Sequence, residues 1–140
     1  MSEPLIHNYY SICTNDELQH SFLLELDIVH AKSKYAQKID AILPEISQKN
    51  RQIVYKKAYH PLLLQAHNLE NKATHPQDLA LDPENRIVVI SGPNAGGKSI
   101  TLKTVGLLQL MLQSGMLIPV HESSKATLFS QILTDIGDNQ

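Results

Sequence analysis

Residues 90–99 read Ile-Ser-Gly-Pro-Asn-Ala-Gly-Gly-Lys-Ser, directly after the run Arg86-Ile87-Val88-Val89. Three glycines and a proline crowd one lysine between two stretches that favour regular structure. Upstream, Ile87-Val88-Val89-Ile90 is β-branched throughout and apolar on both faces, which predicts a strand over 86–91 of the kind buried inside parallel α/β sheets. Downstream, residues 99–114 (SITLKTVGLLQLMLQS) predict a helix, with Gly115 suited to the position just past its end. The non-apolar positions Ser99, Lys103, Gly106 and Gln113 trace one narrow line, so this helix is expected to be largely buried. Two further strands are expected at 116–120 (MLIPV) and 126–133 (ATLFSQIL), separated by the loop HESSK. Strand, glycine loop, helix, strand is the start of a βαβ unit, and the fold class is α/β.

The segment Gly92-Pro93-Asn94-Ala95-Gly96-Gly97-Lys98-Ser99 fits the pattern G-x-x-x-x-G-K-[ST] without a mismatch. A chance match in a chain of this length is about one in 200 at average residue usage. The pattern has a physical purpose. Glycines let the backbone curl and aim successive N–H groups inward, making a nest for anions without bulky side chains in the way. The helix that follows presents its positive N-terminal end to the same place. Lys98 supplies a movable charge for the outer phosphates, and Ser99 a hydroxyl for Mg2+. The expected nucleotide-binding set is therefore Gly92 to Gly97, Lys98, Ser99 and Ile100, with ATP or GTP as ligand.

Working outward, residues 16–43 contain no glycine or proline, and Leu18, Phe22, Leu26, Val29, Ala36 and Leu43 recur at helical steps. A long amphipathic helix is expected there, capped at Asn15 or Asp16 and stopped by Pro44. Between Ser47 and Pro83 a short strand is expected at Ile53, Val54 and Tyr55, a break at His60-Pro61, and another short strand near Leu79–Leu81 within a polar loop. The 140 residues suit one modest domain with a real core, at 42% hydrophobic and 19% charged residues. Twelve basic against fourteen acidic residues, net −2, do not describe a nucleic-acid platform. Lys32, Lys34, Lys38, Arg51, Lys56 and Lys57 are expected to be solvated faces. Cys13 stands alone and excludes an internal disulfide. The seven histidines form no metal-ligand pair. The opening MSEPLIHNYY has neither a basic n-region nor a sustained apolar stretch, and no stretch is long enough to span a membrane, so a cytoplasmic protein is expected.

The loop and its neighbours SGPNAGGKSITLKTVGLLQLMLQSGMLIPV, with TDIGDNQ downstream and YHPLL and ELDIVHAKSKYA upstream, resemble the ATPase of the MutS family. The words ITLKT, GLLQLMLQSG and TDIGDNQ resemble its second branch, whose members often carry a C-terminal Smr nuclease domain. The similarity runs from about Leu23 to Gln140. Ala95 stands where that branch often has threonine, and Tyr59 where arginine commonly precedes the His-Pro. Neither departure alters the phosphate-loop pattern.

The resemblance implies the N-terminal half of an ABC-type P-loop ATPase domain at 47–140, preceded by a helical core or lever segment at 1–46. It implies ATP and Mg2+ as cofactors, a homodimer closing over nucleotide, and DNA held by regions mostly outside these residues. The targets would be mismatched or branched DNA or recombination intermediates, or stalled ribosomes in the Smr-bearing branch. An alternative is another ABC-type chromosome-maintenance ATPase, or an inert truncated nucleotide-binding piece. By loose analogy His75 is a candidate for the adenine side. FSQILTDIGD has the look of a Walker B strand ending at Asp135. But Gln131 and Thr134 interrupt its apolar run, and Ile136 follows where a catalytic glutamate is wanted. Asp135, Asp138 and Gln140 are read as loop, no catalytic carboxylate is assigned, and the chain is expected to be an internal fragment without turnover of its own.

Overall fold

The structure, a computed structural model, describes residues 16–47, 49, 51–92 and 97–133. Cys13, Asn15, Pro93 to Gly96, Asp135, Asp138 and Gln140 lie outside the described residues. The chain forms two compact units, Met1–Tyr35 and Ala36–Gln140.

The described part of the first unit is helix. α1 spans Asp16–Lys38, with Asp16 and Glu17 in its first turn and Lys38 in its last, both favourable to the helix dipole. Its apolar stripe is real, yet Leu18, Phe22, Leu26 and Val29 are each 48–63% exposed. The expected extension to residue 43 is corrected. Asp40 turns into the left-handed region at φ 47°, and Ala41 N–H closes onto Ala36 C=O at 2.9 Å. Ile42 is thereby released to exchange both backbone hydrogen bonds with Ile118, at 2.9 and 3.0 Å. Tertiary pairing, not Pro44, ends the helix.

The second unit is built on a four-stranded mixed sheet in the order β1-β4-β2-β3. β1 is Glu45–Ile46, β2 Ile53–Ala58, β3 Gln77–Leu81 and β4 Lys125–Ala126. β1 runs parallel to β4, and β2 pairs antiparallel with both β4 and β3. Both short strands expected in 53–55 and 79–81 are present and longer. β2 buries Ile53 and Tyr55 by simple alternation, then slips phase to bury Ala58. The slip is a bulge between Tyr55 and Ala58, where Lys57 takes φ 47° and its N–H is received by the Asp78 carboxylate at 2.7 Å. One extra residue keeps the lysine in water and puts the alanine inside. Tyr55, fully buried, lies in a core with Ile39, Leu108, Met111, Leu112, Ile118, Val120 and Ala126.

His60-Pro61 opens a helix, α2, at Pro61–Leu69, where only a break is expected from sequence. Proline is pre-shaped for the first helical position, and His60 Nδ1 accepts from Leu63 N–H at 3.4 Å as the cap. Burial, and secondarily the nearby charge of Lys103, hold the His60 imidazole below its usual pKa, against the opposing pull of a backbone hydrogen bond. The folded chain thus binds fewer protons than the unfolded one just below about pH 6.5. Stability is expected to be complete above that pH and to decline as the pH falls through it. The urea midpoint should drop between about pH 7.5 and about pH 5.5, and His60→Asn, a cap that does not titrate, should flatten the drop.

α3 spans Lys98–Gln113, close to expectation. Gly115, at φ 70°, ends it as expected, with Met116 N–H reaching back to Met111 C=O at 2.9 Å. Its burial is one-sided rather than general: Thr104, Leu108, Gln109, Met111 and Leu112 are buried, whereas Leu102 and Leu110 are about half exposed. The expected strand at 86–91 is also corrected. Residues 86–91 belong to no ladder, and Ile87 and Val89 are both 84% exposed. A strand apolar on both faces needs partners along both edges, and no described segment pairs with it. Nor, among the described residues, do the segments flanking α3 pair with each other. Residues 116–120 contribute only the antiparallel Ile42–Ile118 bridge, and of 126–133 only Ala126 lies in a strand. Among the described residues no helix is long and apolar enough to cross a membrane, and no cluster of potential metal ligands occurs.

Candidate functional site

The glycine loop is seen at both ends. Gly92 has φ 148° and Gly97 φ 80°, conformations that side-chain-bearing residues rarely adopt. Chain neighbours aside, no described atom lies within 4 Å of where a Cβ would sit at either glycine, so the backbone angle rather than space demands glycine. α3 begins at Lys98, and Gly97, in the left-handed region, caps it without a side-chain hydrogen bond. Thr101 N–H and Thr101 Oγ1 both donate to Gly97 C=O, at 3.0 and 3.2 Å, fastening the loop's exit to the first turn.

Lys98 is the first residue of α3, and its Nζ donates back to Gly92 C=O, six residues earlier, in an exposed hydrogen bond. Lys98, Ser99, Val88, Ile90 and Leu102 line an open depression of about 380 Å³. The first turn of α3 contains no acidic residue, and among the described residues no carboxylate lines the depression. Lys98 and Ser99 thus put one ammonium and one hydroxyl beside this depression at a helix N-terminus, the end of a helix that carries positive partial charge. Of the residues singled out from sequence, Gly92, Gly97, Lys98 and Ser99 are brought together here. Ile100, 39% exposed, follows on the same helix. His75 is exposed ahead of β3 and is not among the residues lining the depression. Val88, Ile90 and Leu102 form an apolar wall that sequence assigned to strand and helix interiors.

A second polar feature was not foreseen. Gln109, buried on α3, accepts from Tyr55 OH at 2.8 Å and donates to Thr127 C=O at 2.8 Å and Gln113 Oε1 at 3.0 Å. Two glutamines four residues apart on an apolar helix were its only sequence signal.

The profile of MutS domain V matches residues 88–140, beginning just upstream of Gly92. The chain is 47% identical over 83% of its length to a protein named endonuclease MutS2 from Enterococcus faecalis. It is 49% identical over 82% to the protein of that name from Pediococcus pentosaceus, and 39% identical over its full length to that from Latilactobacillus sakei. The chain belongs to the MutS family. It spans 14–16% of the length of these MutS2 relatives. As a MutS-family chain, its α3 and glycine loop fall inside domain V, while β1, β2, α2 and β3 precede the matched region.

Proposed function

We propose that residues 92–99 hold the phosphates of ATP, and that the chain is the ATP-binding part of a MutS-like ATPase acting on DNA. The observation that carries this reading is the Lys98 ammonium, at the N-terminus of α3, hydrogen-bonded back to Gly92 C=O. Gly92 to Gly97 would surround the phosphates with backbone N–H groups, Lys98 would neutralise the outermost charges, and Ile100 would flank them. Ser99 would offer its hydroxyl to Mg2+, which when bound screens the phosphate charge. His75 remains a candidate for the base side. Residues 47–140 are read as the N-terminal half of an ABC-type P-loop ATPase domain and 1–46 as part of the helical core or lever. The parent protein is read as a homodimer that engages mismatched or branched DNA, or stalled ribosomes.

Hydrolysis requires a carboxylate that positions water or metal, and none lines the depression among the described residues. The 140-residue chain is therefore expected to bind nucleotide without releasing phosphate at an ordinary ATPase rate. Titration of a fluorescent ATP analogue with and without Mg2+ tests the site. Mg2+ should tighten binding to the unaltered chain, and Ser99→Ala should lose about tenfold of that gain, as expected for one interaction with a charged partner. An identical Mg2+ response in both proteins would remove Ser99 from the site.

A further inference from the structure

Residues 127–133 follow β4 without joining a ladder, yet their backbone is held. Phe129 N–H donates to Gln113 Oε1 at 2.8 Å, and Phe129 C=O accepts from Gln113 Nε2 at 3.0 Å. One side-chain amide thus takes both backbone groups of a residue sixteen positions away, as a neighbouring strand would. Gln109 does the adjoining part through Thr127 C=O, and its Nε2 also steadies Gln113 Oε1. The spacing of four puts both amides on one face of α3. These bonds also settle which way each amide points, since Phe129 N–H needs an oxygen and Phe129 C=O a nitrogen.

We propose that Gln113, supported by Gln109, is a positioning residue that ties the order of the backbone at 127–130 to occupancy of the glycine loop. This rests on the nucleotide reading above. Lys98 and Ser99 begin α3 and Gln113 ends it, so a single rod of about 24 Å joins the two places. Phe129 has no ladder of its own, so its backbone is only as ordered as the helix end it hangs from. Phosphates that draw the N-terminal turn of α3 into one position also settle its far end, and with it residues 127–130.

Backbone hydrogen exchange of the full 140-residue chain, with and without Mg2+ and a non-hydrolysable ATP analogue, tests the tie. In the unaltered chain, nucleotide should slow exchange at residues 98–105 and also at 128–130, the latter at least about fivefold, the low end of ordinary site-to-site coupling. In Gln113→Leu the slowing at 98–105 should persist with the same midpoint while that at 128–130 disappears. Gln113→Glu supplies a readout that general loosening would not give. Its ionised carboxylate still accepts from Phe129 N–H but sets an oxygen against Phe129 C=O. Protonated, it donates and accepts like the amide. Coupling should therefore be absent near neutral pH and return as the pH falls through about 4.3. Gln113 is exposed, so the carboxylate is solvated and this variant stands in if the leucine variant unfolds. Slowing at 98–105 without any at 128–130 in the unaltered chain overturns the tie and leaves the nucleotide site standing. Slowing at both places in either variant at neutral pH overturns it equally. No slowing anywhere removes the nucleotide reading and the tie with it.

Discussion

Lys98→Ala is expected to weaken binding of a fluorescent ATP analogue by about 10- to 100-fold while leaving the thermal midpoint nearly unchanged. The size follows from removing a hydrogen-bonding cation from a phosphate, worth about 1.5–3 kcal/mol for interactions with charged partners. The specificity follows from where Lys98 sits. Its bond to Gly92 C=O is exposed, and neither residue belongs to the buried core. Gly97 and Thr101 retain the bonds that shape the first turn of α3 without it. Lys98→Arg should restore little, because a planar fork does not reproduce a compact ammonium above a tight loop. Equal affinity in the unaltered and Lys98→Ala chains would falsify the phosphate assignment, and the ATP reading would go with it.

Tyr55→Ala is expected to cost about 3–5 kcal/mol, the range for emptying a buried aromatic position, and so to take most of the stability ordinary for a small domain. Tyr55 has no exposed surface and lies where β2 meets the Gln109 side chain. Tyr55→Phe separates packing from hydrogen bonding. It keeps the ring and strands Gln109 Oε1, for an expected loss of about 1–3 kcal/mol. Alkaline pH gives an independent check on the same residue. Burial pushes the Tyr55 phenol up to about 12, against about 10 in the unfolded chain. Between those values the unfolded chain has released a proton that the folded chain keeps, so stability falls as pH rises. Urea midpoints measured from about pH 9 upward should show a decline that is missing in Tyr55→Phe. A parallel decline in both would assign the alkaline loss to other groups.

The elements legible in the sequence are those governed by local chemistry. Gly97 and Gly115 bracket α3 because each supplies a left-handed angle that other residues resist, and that demand is written in single residues. The need for glycine at Gly92, at φ 148°, was legible for the same reason. Pro61 carried a local signal too, but a proline after histidine reads equally as a turn, and α2 was missed on that ambiguity. Ile87 to Ile90 have the composition of a buried strand, and composition says nothing about whether a partner lies alongside. The end of α1 was misplaced because Ile42 answers to Ile118, seventy-six positions on, and not to its own helical period.

The chain's own chemistry, read residue by residue, determined that a helix opens at Lys98 behind a left-handed glycine and that helices and strands are mixed in the fold. Tertiary structure alone decided which strands pair, where α1 stops, and that Gln109 and Gln113 hold Tyr55, Thr127 and Phe129. The reason is physical. A glycine angle or a helix cap is decided within a few residues, whereas a hydrogen bond across fifty-four positions exists only once burial has brought its partners together and taken away the water that would otherwise satisfy them.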